Sequence, residues 1–209
     1  MKQSGTPANE TATQHSGERI RSLAMDEMGL IKKIEAAFAH RQMPAEVVNM
    51  EGRYQIDSDV DDALWFQGRD WRGLTRDDWE KRHWGVIFLS PHAFAYYLPS
   101  MLILAIRDPQ HYPDLAIQSF MMILDRSPGE ANWDPPLTDR FLGWSTEEYE
   151  AMKDWLLFAC ENIPGIFYGA AASGPGDGFG RAFDTIDLLQ KETESQRMID
   201  EESSGADSK

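Results

Sequence analysis

The residues of this chain with the type and spacing of a reaction centre each have a structural use as well. Asp57, Ser58, Asp59, Val60 and Asp61 follow the opening rhythm of a calcium-binding loop, in which alternating carboxylates surround the ion. The sixth position is Asp62 rather than a turn-forming glycine, and the twelfth is Gly68 rather than a bidentate glutamate, so the run reads as acidic capping of a helix start. His83 and His92 are the candidate acid–base or metal-binding side chains, because imidazole titrates near neutrality and ligates through its ring nitrogens. Their spacing matches no ligand motif: HExxH is absent, and a single cysteine, Cys160, excludes cysteine pairs. Asp77, Asp78 and Glu80 lie near His83 at offsets typical of a solvated helix face. Ser90 stands two residues from His92 but has no GxSxG elbow, and Ser-Pro is an ordinary way to begin a helix. The run Gly174-Pro175-Gly176-Asp177-Gly178-Phe179-Gly180 lacks the GK[ST] ending and the preceding strand of a phosphate loop, and reads as a linker. No catalytic residue, metal or cofactor is predicted from these patterns.

Recognition has a better foothold. Arg69, Asp70, Trp71 and Arg72 join charge to a large aromatic between two helical segments, a place where binding residues tend to sit. They are the candidate partner-binding residues; the structural alternative is that Trp71 plugs the junction between the helices.

The elements that must position these residues are helical. Apolar residues recur mostly at three and four, and few segments alternate as a half-buried strand would. The expected fold is all-α, a single compact multi-helix domain over 22–190, with disordered polar tails at 1–21 and 191–209 and a Gly-rich loop at 169–180. A first helix is predicted over 26–40 and a short second one after Ser58 and Asp59, stopped by Gly68. Thr75 with Asp78 imitates a capping box and opens a third helix through Trp79, His83, Val86 and Ile87. Ser90 and Pro91 start a fourth, which Pro99 should kink or split. A fifth covers 113–124, and the segment from there to 142 reads as irregular. Ser145 and Glu148 form the clearest capping box, opening a helix that Pro164 and Gly165 end. A last amphipathic stretch runs through Phe183, Ile186 and Leu189.

Composition narrows the function. With 209 residues, seven Trp, six Tyr and ten Phe, the chain can bury a core, which excludes collagen-like and wholly disordered classes. The 20 Lys and Arg face 35 Asp and Glu, a net charge of -15, which opposes nucleic acid and suits a basic partner. The most apolar stretch, 93–106, is shorter than the roughly 20 residues that cross a bilayer and reads as a core helix. The polar residues 1–17 hold no signal-peptide core, and a lone cysteine suits a reducing cytosol, so a cytoplasmic location away from membranes is expected.

The run Gly68-Arg69-Asp70-Trp71-Arg72-Gly73-Leu74, then His83, then Phe88-Leu89-Ser90-Pro91-His92-Ala93-Phe94-Ala95-Tyr96-Tyr97-Leu98-Pro99, resembles a bacterial family of small helical domains of unknown function. That family reads G-K-D-W-x-x-L, a downstream His, and F-x-S-P-x-A-F-x-Y-Y-L-P-A. The resemblance spans residues 30–161, with Arg69 where lysine is frequent and Ser100 where a small alanine is. It implies a small cytosolic bacterial protein and brings no activity or catalytic residues. The expected function is a non-enzymatic binding module, of the immunity or inhibitor kind, that holds a basic protein partner through its acidic surface and the 69–71 loop. The alternatives are a hydrolase using His83 with a carboxylate and a metal, and a self-assembling structural adaptor.

Overall fold

The computed structural model describes residues 26–48, 58–124, 133–163, 165–166 and 177–206. The tail at 1–21, Asp57 of the acidic run and the Gly-rich stretch as far as residue 176 lie outside these residues. Nine α-helices occupy the described residues: α1 (Glu27–Ala37), α2 (Ser58–Leu64), α3 (Arg76–Lys81), α4 (Gly85–Phe88), α5 (Pro91–Arg107), α6 (Asp114–Leu124), α7 (Pro135–Phe141), α8 (Thr146–Asn162) and α9 (Asp177–Ala206). A 3-10 turn, Trp71–Gly73, joins α2 to α3, and the one extended pairing is an antiparallel bridge between Val48 and Leu89. The chain is all-α, as its apolar period requires.

Local chemistry sets most of the starts. The Ser90 hydroxyl accepts the Ala93 N–H at 3.3 Å and Pro91 occupies the first turn, where its missing donor costs nothing. Every residue of α5 from Ala93 to Ile103 is buried, as befits a central helix apolar on all sides. Pro99 lies inside this helix without splitting it, because packing around the whole circumference outweighs one lost backbone bond. Both capping boxes form. Asp78 N–H reaches the Thr75 hydroxyl at 3.3 Å while Thr75 N–H reaches the Asp78 carboxylate at 2.9 Å, and Ser145 and Glu148 exchange the same pair of bonds.

Around α5 the other helices close a single core. Helix α1 packs on α8 and α5, α7 on α5 and α6, and α9 on α8 and α6. Aromatic rings fill the middle: Phe141 meets Phe94 and Trp144, Phe120 meets Trp155, and Phe66 lies between Trp79 and Tyr97. Two of the buried indoles find acceptors in the core, Trp79 in the Ser100 hydroxyl at 3.0 Å and Trp155 in the Leu102 carbonyl at 3.1 Å.

Three elements differ from the sequence expectation. The helix opened by Thr75 breaks into α3 and α4 at residues 82–84. At Gly85, α2 approaches so closely that a Cβ would stand 3.1 Å from the Ala63 nitrogen and the Asp62 carbonyl carbon. Both contacts are backbone and cannot swing away, so Gly85→Ala should cost about 1–3 kcal/mol of stability, measured by urea denaturation. The segment read as irregular contains α7: Asp134 caps it by accepting the Leu137 N–H at 3.2 Å, with Pro135 at its first position. The last helix does not stop at 190. It continues through 191–206, where a compositional tail was expected, because side chains one turn apart support it and Thr193 is buried against α8.

Candidate functional site

The predicted recognition turn begins at Gly68, whose φ of 72° ends the helical segment in the left-handed region open to glycine. Asp70 accepts the Arg72 N–H at 2.9 Å and its carboxylate lies 3.6 Å from the Arg72 guanidinium, which in turn stacks 4.3 Å from the Trp71 ring. Trp71 itself is only 4% exposed. It plugs the junction beneath the turn, beside Leu74, Ser100 and Ile103, while Arg69, Asp70 and Arg72 remain on the surface.

The aromatic beside this turn is Trp65, partly buried against the core. The Arg69 guanidinium carbon lies 3.7 Å from its ring centroid and that of Arg82 lies 4.0 Å away, both within cation–π range. Arg69 Nε also donates to the Trp65 carbonyl at 2.8 Å. Trp65 and Arg69 stand one helical turn apart, a spacing visible in the sequence; the arrival of Arg82 from the end of α3 is not. The nearby Asp78 carboxyl feels burial, which would raise its pKa, but the Thr75 hydrogen bonds and the charges of Arg82 and Arg69 outweigh that and hold it below its ordinary value.

The core fixes the backbone of the turn through one hydroxyl. Tyr97 donates to the Phe66 carbonyl at 2.5 Å and also lies 3.1 Å from the Arg69 carbonyl. Burial, followed by the neighbouring Tyr96, pushes its pKa up to about 12, so it remains a donor across the physiological range. Tyr97→Phe leaves the buried Phe66 carbonyl without this donor and should lower stability by about 1–3 kcal/mol in thermal or urea unfolding.

Each of the two candidate histidines meets a backbone carbonyl. His83 Nδ1 meets the Glu80 carbonyl at 3.0 Å, and its ring lies against Trp84 in the turn between α3 and α4. His92 Nε2 meets the Gln42 carbonyl at 3.1 Å and joins the start of α5 to the strap that follows α1. Ser90 N–H donates to the Val47 carbonyl at 2.7 Å on the same strap, and its hydroxyl caps α5. Among the described residues, no three His, Cys, Asp or Glu side chains gather as a metal site.

A groove of about 670 Å³ runs between α1 and the start of α8, lined by Lys33, Ala36, His40, Thr146, Glu147 and Glu150 among others. Beside it lies Glu148, fully buried, gripped by Arg41 through Nε at 2.6 Å and Nη2 at 2.7 Å, with His40 Nε2 3.7 Å away. This bidentate pair ties the end of α1 to the first turn of α8.

The segment from α1 to the end of α8 holds all these features. The chain belongs to DUF6714, a family of unknown function. The family model matches residues 26–159, which take in the run 68–99 that carried the resemblance, the Trp65 cluster and the Arg41–Glu148 pair. No curated protein and no solved structure matches the chain. Helix α9 lies beyond the DUF6714 match yet is seated on it through Ala182, Thr185, Ile186, Leu189 and Thr193, and Arg197 donates to the Trp144 carbonyl at 2.6 Å.

The acidic charge concentrates at that added helix and the one beneath it. Helix α8 has Glu147, Glu148, Glu150, Asp154 and Glu161 against Lys153, and α9 has eight acidic residues against three basic ones. Lys153 pairs with Glu150 at 2.6 Å and approaches Asp187 at 3.8 Å, so a share of this charge is spent in holding α9 down. From Glu194 to Glu201 the helix is exposed, with Met198 59% and Ile199 56% accessible among Glu192, Glu194, Asp200 and Glu201. Among the described residues no helix is long and apolar enough to cross a membrane.

Proposed function

We propose that this chain is a bacterial, cytoplasmic, non-enzymatic binding module of the inhibitor or immunity kind, and that its acidic α8–α9 face holds a basic protein partner. One observation carries the reading: two large apolar side chains, Met198 and Ile199, are exposed on a stretch of helix that also exposes Glu192, Glu194, Asp200 and Glu201. Apolar anchors supply affinity at a protein interface, and surrounding charge of one sign selects and steers a partner of the other. A net charge of -15 strengthens that steering and opposes nucleic acid. The buried half of α9 gives the exposed half a fixed orientation, which lowers the ordering cost of association.

Affinity purification of the tagged full chain from its native cytosol, at low and at high salt with mass spectrometry of the eluates, tests this reading. A single stoichiometric basic protein that is lost at high salt is the expected result. A basic partner retained at high salt, or no stoichiometric basic protein at all, contradicts it.

A further inference from the structure

We propose that the surface around Trp65 is a second docking site, of opposite sign to the α8–α9 face, and that it takes an acidic protein segment carrying an apolar side chain. Between residues 69 and 82 the charge of the chain reverses locally, with Arg69, Arg72, Arg76, Lys81 and Arg82 against four carboxylates. Three of those carboxylates have local partners: Asp70 holds the Arg72 N–H, Asp78 holds Thr75, and Asp77 lies 3.9 Å from Lys81. The fourth is Glu80, whose backbone carbonyl meets His83 Nδ1 at 3.0 Å.

Arg69 and Arg82 make no ion pair among the described residues. Their guanidiniums stack on Trp65 instead, at 3.7 and 4.0 Å. Stacking restrains both long side chains; the Trp65 carbonyl takes Arg69 Nε at 2.8 Å, so the donors left for a carboxylate are the terminal Nη groups, already ordered. The charges of Arg82 and Arg69 act on Asp78, whose oxygen Oδ2 is occupied by the Thr75 N–H at 2.9 Å and hydroxyl at 2.7 Å.

Apolar surface adjoins the stack. Leu64 is 42% exposed and Trp84 44%. The close approach of α2 to Gly85 brings the end of α2, with Leu64 and Trp65, against the turn that carries Arg82 and Trp84. Trp and Arg are enriched among the anchors of protein interfaces, and the forked guanidiniums select carboxylates. The negative field of the whole chain disfavours a long polyphosphate, whereas a short acidic segment lies within the roughly 8 Å over which the local arginines dominate at physiological salt.

The test uses the full chain and a fluorescein-labelled Glu-rich peptide containing two leucines and a phenylalanine, followed by anisotropy. The peptide should bind saturably, and its analogue with Gln in place of Glu should bind at least about tenfold more weakly. R69Q/R82Q should weaken the Glu peptide at least about tenfold with the helical circular dichroism unchanged, whereas K32Q/K191Q, which removes the same charge elsewhere on the surface, should leave binding intact. The proposal is overturned if the peptide fails to bind, if R69Q/R82Q and K32Q/K191Q behave alike, or if a single-stranded oligodeoxynucleotide of equal charge binds more tightly. These outcomes concern a different face and a different ligand from the basic partner of α8–α9, so either reading can fail without the other.

Discussion

Replacing Glu148 by alanine should destabilise the fold by about 3–5 kcal/mol, the largest expected effect of any charged residue in the chain. Its carboxylate is fully buried and takes three donors: Arg41 Nε at 2.6 Å, Arg41 Nη2 at 2.7 Å and the Ser145 N–H at 2.8 Å. Truncation removes the α8 capping box and leaves the Arg41 guanidinium, itself largely buried, without its counter-charge. The loss of one partner is costly because the other cannot return to water without opening the α1–α8 contact. Urea denaturation of E148A, R41A and the double variant measures the coupling. The double variant should lie much closer to the singles than to their sum, and a loss below about 1 kcal/mol for E148A would show that the pair is dispensable.

Leu189→Ala should cost about 2–5 kcal/mol, even though the residue lies outside the family match. Leu189 and Ile186 are fully buried on the seated side of α9, and Thr193 joins them by bonding Tyr149 at 2.8 Å and the Gly143 N–H at 3.2 Å. Removing three side-chain carbons, Cγ and the two Cδ methyls, from this seat leaves a cavity that the packed α6 and α8 surface cannot fill. The same helix supplies its own control. M198A/I199A, on the exposed side, should stay within about 0.5 kcal/mol of the parent. Equal destabilisation by the two sets would mean that α9 is not seated as described.

What was legible in the sequence was local. Thr75 with Asp78, Ser90 with Pro91 and Ser145 with Glu148 satisfy orphan N–H groups within three residues, so the pattern and the structure contain the same information. Asp134 and Pro135 carry the same cap-and-proline signal for α7, but Pro136 and a short apolar repeat make the segment resemble a loop. The extent of α9 was hidden because Thr193 and Arg197 read as polar until Tyr149 and the Trp144 carbonyl are known to face them. Long-range contacts also moved the candidate site. Trp71 and Trp65 are equally aromatic in the sequence, and only the fold shows that one is buried while Arg82 reaches the other. Net charge gave the sign of the expected partner, and the assignment of that charge to α8 and α9 came with the fold.

The most direct test of the acidic-face account is the association rate of the captured basic partner with the full chain and with E192K/E194K/E201K, measured at low and high salt. The account predicts that the charge reversal slows association at least about tenfold at low salt, that high salt removes most of this difference, and that M198A/I199A acts instead on dissociation. An association rate indifferent to both the reversal and the salt would contradict it.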